Sequence, residues 1–484
     1  MADTTLPQIS SIVDSVVNPF YLDIDSIELK KMNGEKINIL PQVLEFSIFQ
    51  SLFSPLLRAE LSLYDAINLH VNFPLLGEEE IEISFKKEQR TPTSASATQN
   101  IVLKFMIEST TEESVKATGR EKVYKLFLYS IEMKQNLKKR NQKAYNLEYY
   151  NVIEKIIKED LESKKDFKGL TDDFKPQKTR GVFHFIVPNL KPVDAIMWIN
   201  KRSVPEDLNN NYFLFFERFD GFYFTTLQKM IETGKKKLPI KKFTYNSNYL
   251  PNHLQEGETY NQITGIKIDK KFSLFEKVLA GYYENEYVEI DIFNRIVRNV
   301  TTSIKDDKLY LQNFIDLNKA EKYNMNTDDF IESILNKEEG IDTKQKIKYA
   351  IFQGDGDDPD PSQMNYFKEK YGSGLRTQSS FAQLNLSVSI PGNAEVEAGE
   401  IVEIEIPPFD GFSTPESQTD KYISGIYIAT DVKHIITPGG RHVTVMNLHR
   451  DSFVNKIDNK MIYNTGDGGG TVNLPPVNQQ VNQN

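Results

Sequence analysis

FPLLGEEEIEISF, residues 73–85, places four glutamates within five positions, and its reading decides the fold. The run is either a carboxylate site or one face of a strand. At period two, Ile81 and Ile83 point one way and Glu80 and Glu82 the other. The paired carboxylates of a glycosidase converge across a cleft, which a run along one strand does not do. Glu78–Glu82 therefore reads as a solvated strand face, with the isoleucines packing a barrel interior and Gly77 relieving a turn after Pro74.

A near-echo, AGEIVEIEIPP, stands at 398–408. The likeness extends beyond one strand. AELSLYD leads the first copy and QLNLSVSI the second. A loop and a Gly-Glu step follow, Gly77-Glu78 and Gly399-Glu400. Next comes an E-I-E-I string, Glu80 to Ile83 and Glu403 to Ile406, and then a Ser/Thr/Pro loop, RTPTSASATQN and FSTPESQTDK. Two strands return: FMIES and KVYKLFLYS in the first copy, IYIATDV and HVTVMNLHR in the second. One extra residue separates Gly399 from its string, a slip that a β-bulge absorbs. The pattern predicts a duplication in which Gly77 and Gly399 are the structural turns.

The chain is 484 residues long, enough for several domains, and its 39% hydrophobic content suffices for packed cores. A net charge of −10 argues against a protein that grips nucleic acid by counterion release. The absence of cysteine removes disulfides, zinc–thiolate sites and thiol nucleophiles together, and fits folding in a reducing cytosol. No basic segment followed by an apolar core opens the chain, and no apolar run is long enough to span a membrane, so neither a signal peptide nor membrane insertion is expected.

The first third alternates at period two. NLEYYNVIEKIIKEDLE then puts Tyr150, Ile153, Ile157 and Leu161 on one helical stripe, with Asn146 as the expected N-cap. KPVDAIMWINKRS begins a helix at Pro192 and buries Trp198. NYFLFFERFDGFYFTTL (211–227) carries a hairpin signal at Asp220-Gly221. A helix ending at Gly281 and another over 327–340 are also expected. The polar segment from 456 to 484 cannot bury a core.

SLYDAINLHVNFPLLGEEEIEISF, PVDAIMWINKRSV, NNYFLFFERFDGFYFTTL and GYYENEYVEIDIFNR together resemble the baseplate central hub protein of contractile-tailed bacteriophages, a relative of the N-terminal part of type VI secretion spike proteins. The resemblance covers roughly residues 20–455. It implies an α+β fold, mainly β, with two tube-like antiparallel β-barrels in a duplicated arrangement and an inserted α+β domain. The expected division is 1–144 for the first barrel, 145–205 with 250–375 for the middle domain, 206–249 with 376–455 for the second barrel, and 456–484 for the tail. The second barrel takes a mid-chain segment, for which the 211–227 hairpin is the candidate donor.

The resemblance further implies a homotrimer whose six barrels form a pseudo-sixfold ring, with the tail tube on one face and a separate central spike protein on the other. Other baseplate proteins surround it, and DNA passes through its channel without specific binding. Its place is the tail baseplate of the virion, assembled in the host cytoplasm. The alternatives are a tail-associated cell-wall hydrolase or carbohydrate-binding component, and the hub of a related injection system.

No cofactor, metal or catalytic set is expected. DGDDPDP (355–361) offers Asp355, Asp357, Asp358 and Asp360, but Asp360 and Tyr366 stand where a calcium loop wants Gly and Glu. His434 and His442 flank the turn ITPGG and face each other across a hairpin without a third ligand. GDGGG (466–470) lacks the strand and helix of a phosphate loop. The basic runs 134–143 and 235–242 read as solvated faces or partners of acidic neighbours.

Overall fold

The computed structural model describes residues 24–31, 33–65, 73, 75, 77–91, 94–114, 122–170, 174–206, 212–236, 240–245, 261–270, 284–291, 295–303, 344–352, 384–407, 420, 423–437 and 441–450. The chain is mainly β, with short helices in its middle part.

The first unit contains β1 (Ile24–Lys30), β2 (Lys36–Asn38), β3 (Val43–Ser51), β4 (Arg58–Tyr64), β5 (Glu80–Thr91), β6 (Ser94–Ser114) and β7 (Lys122–Ser130). All its pairings are antiparallel, in the order β3-β4-β7-β6-β5-β1-β2. Residues 36–51 pair with β1 at their start and with β4 further on, so the pairings run full circle. Alternate residues fill the interior: Ile27, Leu29, Ile81 and Ile83 are all 0% exposed. Strand alternation here is burial on one side and water on the other.

The middle part holds α1 (Glu132–Lys138), β8 (Ala144–Leu147), α2 (Tyr149–Lys155, continued by a π-turn over Ile156–Asp160), β9 (Asp166–Lys168), β10 (Phe183–Ile186) and α3 (Pro192–Asn200). The apolar stripe of α2 is buried at Val152, Ile153, Ile156 and Ile157. Its N-cap is Glu148 rather than the expected Asn146, which lies in β8 paired with His184. Pro192 opens α3 as read from the sequence, whereas Trp198, expected to be buried, is half-buried against the core.

Next come β11 (Phe213–Arg218), β12 (Gly221–Thr226), α4 (Leu227–Lys236), β13 (Lys241–Tyr245), β14 (Gln262–Ile263) and β15 (Gly265–Lys270). A separate three-stranded sheet holds β16 (Glu284–Asp291), β17 (Ile296–Ser303) and β18 (Lys344–Phe352). The second unit is completed by β19 (Leu384–Pro391), β20 (Ile401–Glu405), β21 (Gly425–Ile436) and β22 (His442–Arg450). Its strands run β15-β19-β22-β21-β20-β13-β14. Residues 262–270 pair with β13 at one end and β19 at the other, again completing a circle.

The hairpin β11–β12 is not the donor to the second barrel. It forms a sheet with β9, and the second barrel takes β13 and residues 262–270 instead. Part of the span assigned to the middle domain thus belongs to the barrel. The reason is that both faces of the hairpin are apolar. Phe213, Phe215, Phe222 and Phe224 join the core of the middle part, while Leu214, Phe216 and Tyr223 join that of the second barrel. A strand buried on both sides carries no alternation to say which sheet it enters. The expected antiparallel barrel is also qualified, since β13 runs parallel to both β14 and β20.

The two units share strand order and register. In sequence order β3, β4, β5, β6 and β7 match β15, β19, β20, β21 and β22. Each carries a bulge at the same place, between Ile107 and Ser109 in one and between Ala429 and Asp431 in the other. From that point Leu128 matches Leu448, Ala59 matches Leu386 and Ile83 matches Ile404. The E-I-E-I strings therefore lie two residues out of register, since Glu80 matches Ile401 and not Glu403. A shift of two keeps every side chain on its face. The chemistry follows what covers each barrel. Glu80 pairs with Lys134 at 2.6 Å, whereas Ile401 lies under Gly234 of α4, where a Cβ would come within 2.2 Å of it.

Candidate functional site

The two barrels are joined by β21. Its first residues pair with β20, and after the bulge Asp431–Ile436 pair antiparallel with Ser51–Phe46 of β3. Ser51 Oγ donates to Asp431 Oδ1 at 2.6 Å across this seam. Gln50 reaches over it to accept the N–H of Ala398 at 3.0 Å. The result is one continuous sheet spanning both barrels.

The hairpin β11–β12 braces this junction from one side. Glu217, 1% exposed, accepts the N–H of Leu57 at 2.9 Å. Lys165 donates to Glu217, to Glu132 at 2.8 Å and to Ser130 Oγ at 2.9 Å, and Ser163 donates to Glu132 at 2.7 Å. Burial works against the Lys165 charge, but the two carboxylates outweigh it and hold the ammonium on. Burial likewise pushes Glu132 up, and Lys165 and the hydroxyls bring it below the usual carboxylate range. Glu217, in the deepest position, is pushed up by burial and by the charge of Glu132. On the other face of the hairpin, Arg218 donates to the carbonyl of Ala398 and stacks over Tyr223. This cluster was not foreseen from sequence. Its signal is a charged pair inside the otherwise apolar FLFFERFDGFYF.

At the hairpin tip, Asp220 accepts from Tyr223 Oη at 2.9 Å and from Lys168 at 3.1 Å. Burial raises its pKa, but these donors and the Arg218 charge take it below the ordinary value. Gly221 has φ +149, and a Cβ there would lie 2.5 Å from the carbonyl of Asp166 in β9. Phe219 inserts between Phe85 of the first barrel and His434 of β21, at centroid distances of 5.7 and 5.4 Å.

His434 and His442 do face each other, with Nδ1 3.1 Å from Nε2, both 2% exposed. Thr444 Oγ1 lies within 3.4 Å of both rings. Burial pulls His442 down to about 4. No group of three or more metal-ligating side chains occurs among the described residues.

Gly77 and Gly399 each have φ +86. The N–H of Gly77 donates to Glu79 at 2.8 Å, and that of Gly399 to the carbonyl of Ala429 at 2.6 Å. Their positions differ by one residue relative to the matched strands. The basic runs meet carboxylates: Lys143 with Asp160 at 2.9 Å, Lys241 with Glu400 at 2.9 Å, and Lys242 with Glu405 at 3.0 Å. Glu82 pairs with Lys104 at 3.3 Å on the outward face of its strand, but Glu79, expected on the same solvated face, precedes the strand and is buried. The acidic loop 354–361, the helices ending at Gly281 and over 327–340, the glycine run 466–470 and the tail lie outside the described residues.

No family model matches this sequence, and no curated protein does. Solved structures similar to it include a tail protein from Neisseria meningitidis, 8% identical, with 89% of this chain and 98% of that one covered and a TM-score of 0.49. The 43 kDa tail protein of a Shewanella oneidensis prophage is 8% identical, with coverage of 88% and 97% and a TM-score of 0.44. A component of the type VI secretion system from E. coli is 10% identical, with coverage of 86% and 75% and a TM-score of 0.38.

Proposed function

We propose that this chain is the central hub of a contractile tail. It is a structural, non-enzymatic protein that works as a homotrimeric adaptor between the six-fold tail tube and the three-fold spike. The observation that carries the reading is the pair of barrels with matched strand order and bulges, already joined edge to edge within one chain. Three copies supply six such barrels, which is what adapting a three-fold object to a six-fold ring requires. The mechanism is geometric: the ring presents six similar surfaces for the first tube ring to dock on, and its open centre passes DNA. Pairing of the basic runs with carboxylates, together with the net charge of −10, suits a wall that does not hold the duplex.

Sedimentation across concentration, followed by imaging with tube protein added, tests this. A concentration-dependent trimer that nucleates tube rings is expected. A stable dimer or a six-copy ring overturns the reading. Clearing of purified cell wall by the isolated chain would overturn the non-enzymatic part.

A further inference from the structure

The β21–β3 seam has two halves, and the duplication supplies each half a second time. The counterpart of β21 is β6. Beyond its bulge, Ser109–Ser114 pairs with β7 on one edge, as Asp431–Ile436 pairs with β22. On its other edge, where β21 receives β3, β6 has no strand among the described residues. The counterpart of β3 is β15, which pairs with β19 on one edge and, along 266–270, has no strand on the other among the described residues.

We propose that these two open edges pair between neighbouring copies of this chain, β6 of one with β15 of the next, in the register that β21 and β3 use internally. Transferring that register puts Thr110 opposite Lys270, Thr111 opposite Asp269, Glu112 opposite Ile268, Glu113 opposite Lys267 and Ser114 opposite Ile266. The chemistry is complementary. The β6 segment carries two glutamates and no basic residue, and β15 carries two lysines and one aspartate. In this register Glu113 stands opposite Lys267, Glu112 is diagonal to Lys270 and Glu113 is diagonal to Asp269, so two of the three charged juxtapositions are favourable and none of the directly opposed pairs is of like charge. Two unlike edges make a head-to-tail contact that closes only as a ring, and pairing hides strand edges that otherwise invite aggregation. The number of copies rests on the hub reading, but the edge pairing does not.

The chain has no cysteine, so introduced ones report cleanly. Facing residues in antiparallel strands lie about 4.5–5.5 Å apart at Cα, within the reach of a disulfide. Oxidised Thr111→Cys/Asp269→Cys is expected to give covalent trimers at least tenfold more readily than the off-register Thr111→Cys/Lys267→Cys. Trimers by mass that do not link, or that link better off register, overturn the edge pairing and leave the hub reading standing. A chain monomeric at every concentration overturns both. Hydrogen exchange on the unaltered protein guards against misfolded variants. Amides in 109–114 and 266–270 are expected to gain at least tenfold protection on association, and no change there overturns the proposal.

Discussion

Glu217 and Arg218 are adjacent in sequence and hold opposite barrels. Glu217 takes the N–H of Leu57 at the entry to β4, and Arg218 gives a hydrogen bond to the carbonyl of Ala398 just before β20. Successive strand residues point to opposite faces, so one dipeptide ties the hairpin to both units. Lys165 makes the first of these ties tolerable, since its positive charge lies against both carboxylates that meet there.

Removing that cation leaves two buried carboxylates without a counter-charge. Lys165→Ala is expected to cost about 3 kcal/mol near neutral pH. Without the lysine both carboxyls take up protons more readily when folded than when unfolded, so the deficit shrinks as the pH falls toward about 5. Urea unfolding of variant and parent at several pH values checks this. A deficit independent of pH would mean that packing, not charge, was lost.

His442 is held near 4, below its unfolded value of about 6.5. The neutral ring contributes stability that is fully present above about 6.5 and is lost as the pH falls through the folded value, about 3 kcal/mol in all. His442→Gln should flatten that part of the stability profile between pH 6.5 and 4. Denaturant midpoints measured over that window show it, and an unchanged slope would exclude His442 as its source.

Gly399 and Gly77 share a backbone angle but not a setting. A Cβ on Gly77 meets nothing within 4 Å, whereas one on Gly399 comes within 2.9 Å of Arg218 Nη2 and Met230 Sδ. Gly77→Ala is expected to cost about 1–2 kcal/mol for the left-handed angle alone. Gly399→Ala should cost about 3 kcal/mol, because crowding adds to the strain. Thermal unfolding of the two variants gives the order directly.

Much of this was legible in advance. The barrel strands alternate because each has one wet face, and Ile81, Ile83, Val402 and Ile404 are all 0% exposed. The repeat was visible, but its register was misplaced by two, because Glu-Ile strings match each other at every even shift. What covers a barrel from outside, such as α4 over Ile401, leaves no mark within the strand that it covers. The hairpin's place was hidden for the same reason, since aromatics on both faces say only that it is buried. The Glu217–Lys165–Glu132 cluster brings together residues from β11, α1 and the loop before β9, which no local pattern records.

That shared burial predicts one cooperative unit. Phe215 is packed in the middle part and Phe216 in the second barrel, each about fully buried. Phe215→Ala and Phe216→Ala should each cost about 3–5 kcal/mol. Trp198, the sole tryptophan, reports on the middle part. Its fluorescence and the far-ultraviolet circular dichroism are expected to change together in parent and variants. Separate transitions would show that the hairpin does not couple its neighbours.

The way β21 changes partners at Thr430 also sets how the molecule bears force. Six residue pairs, from Asp431–Ser51 to Ile436–Phe46, join the barrels side by side. A pull along the strands loads all their hydrogen bonds at once, in shear. A pull across them opens the seam one bond at a time, like a zipper. The junction is therefore stiff in one direction and peelable in the other. Within the chain, the seam resists sliding of one barrel past the other more than it resists hinging open.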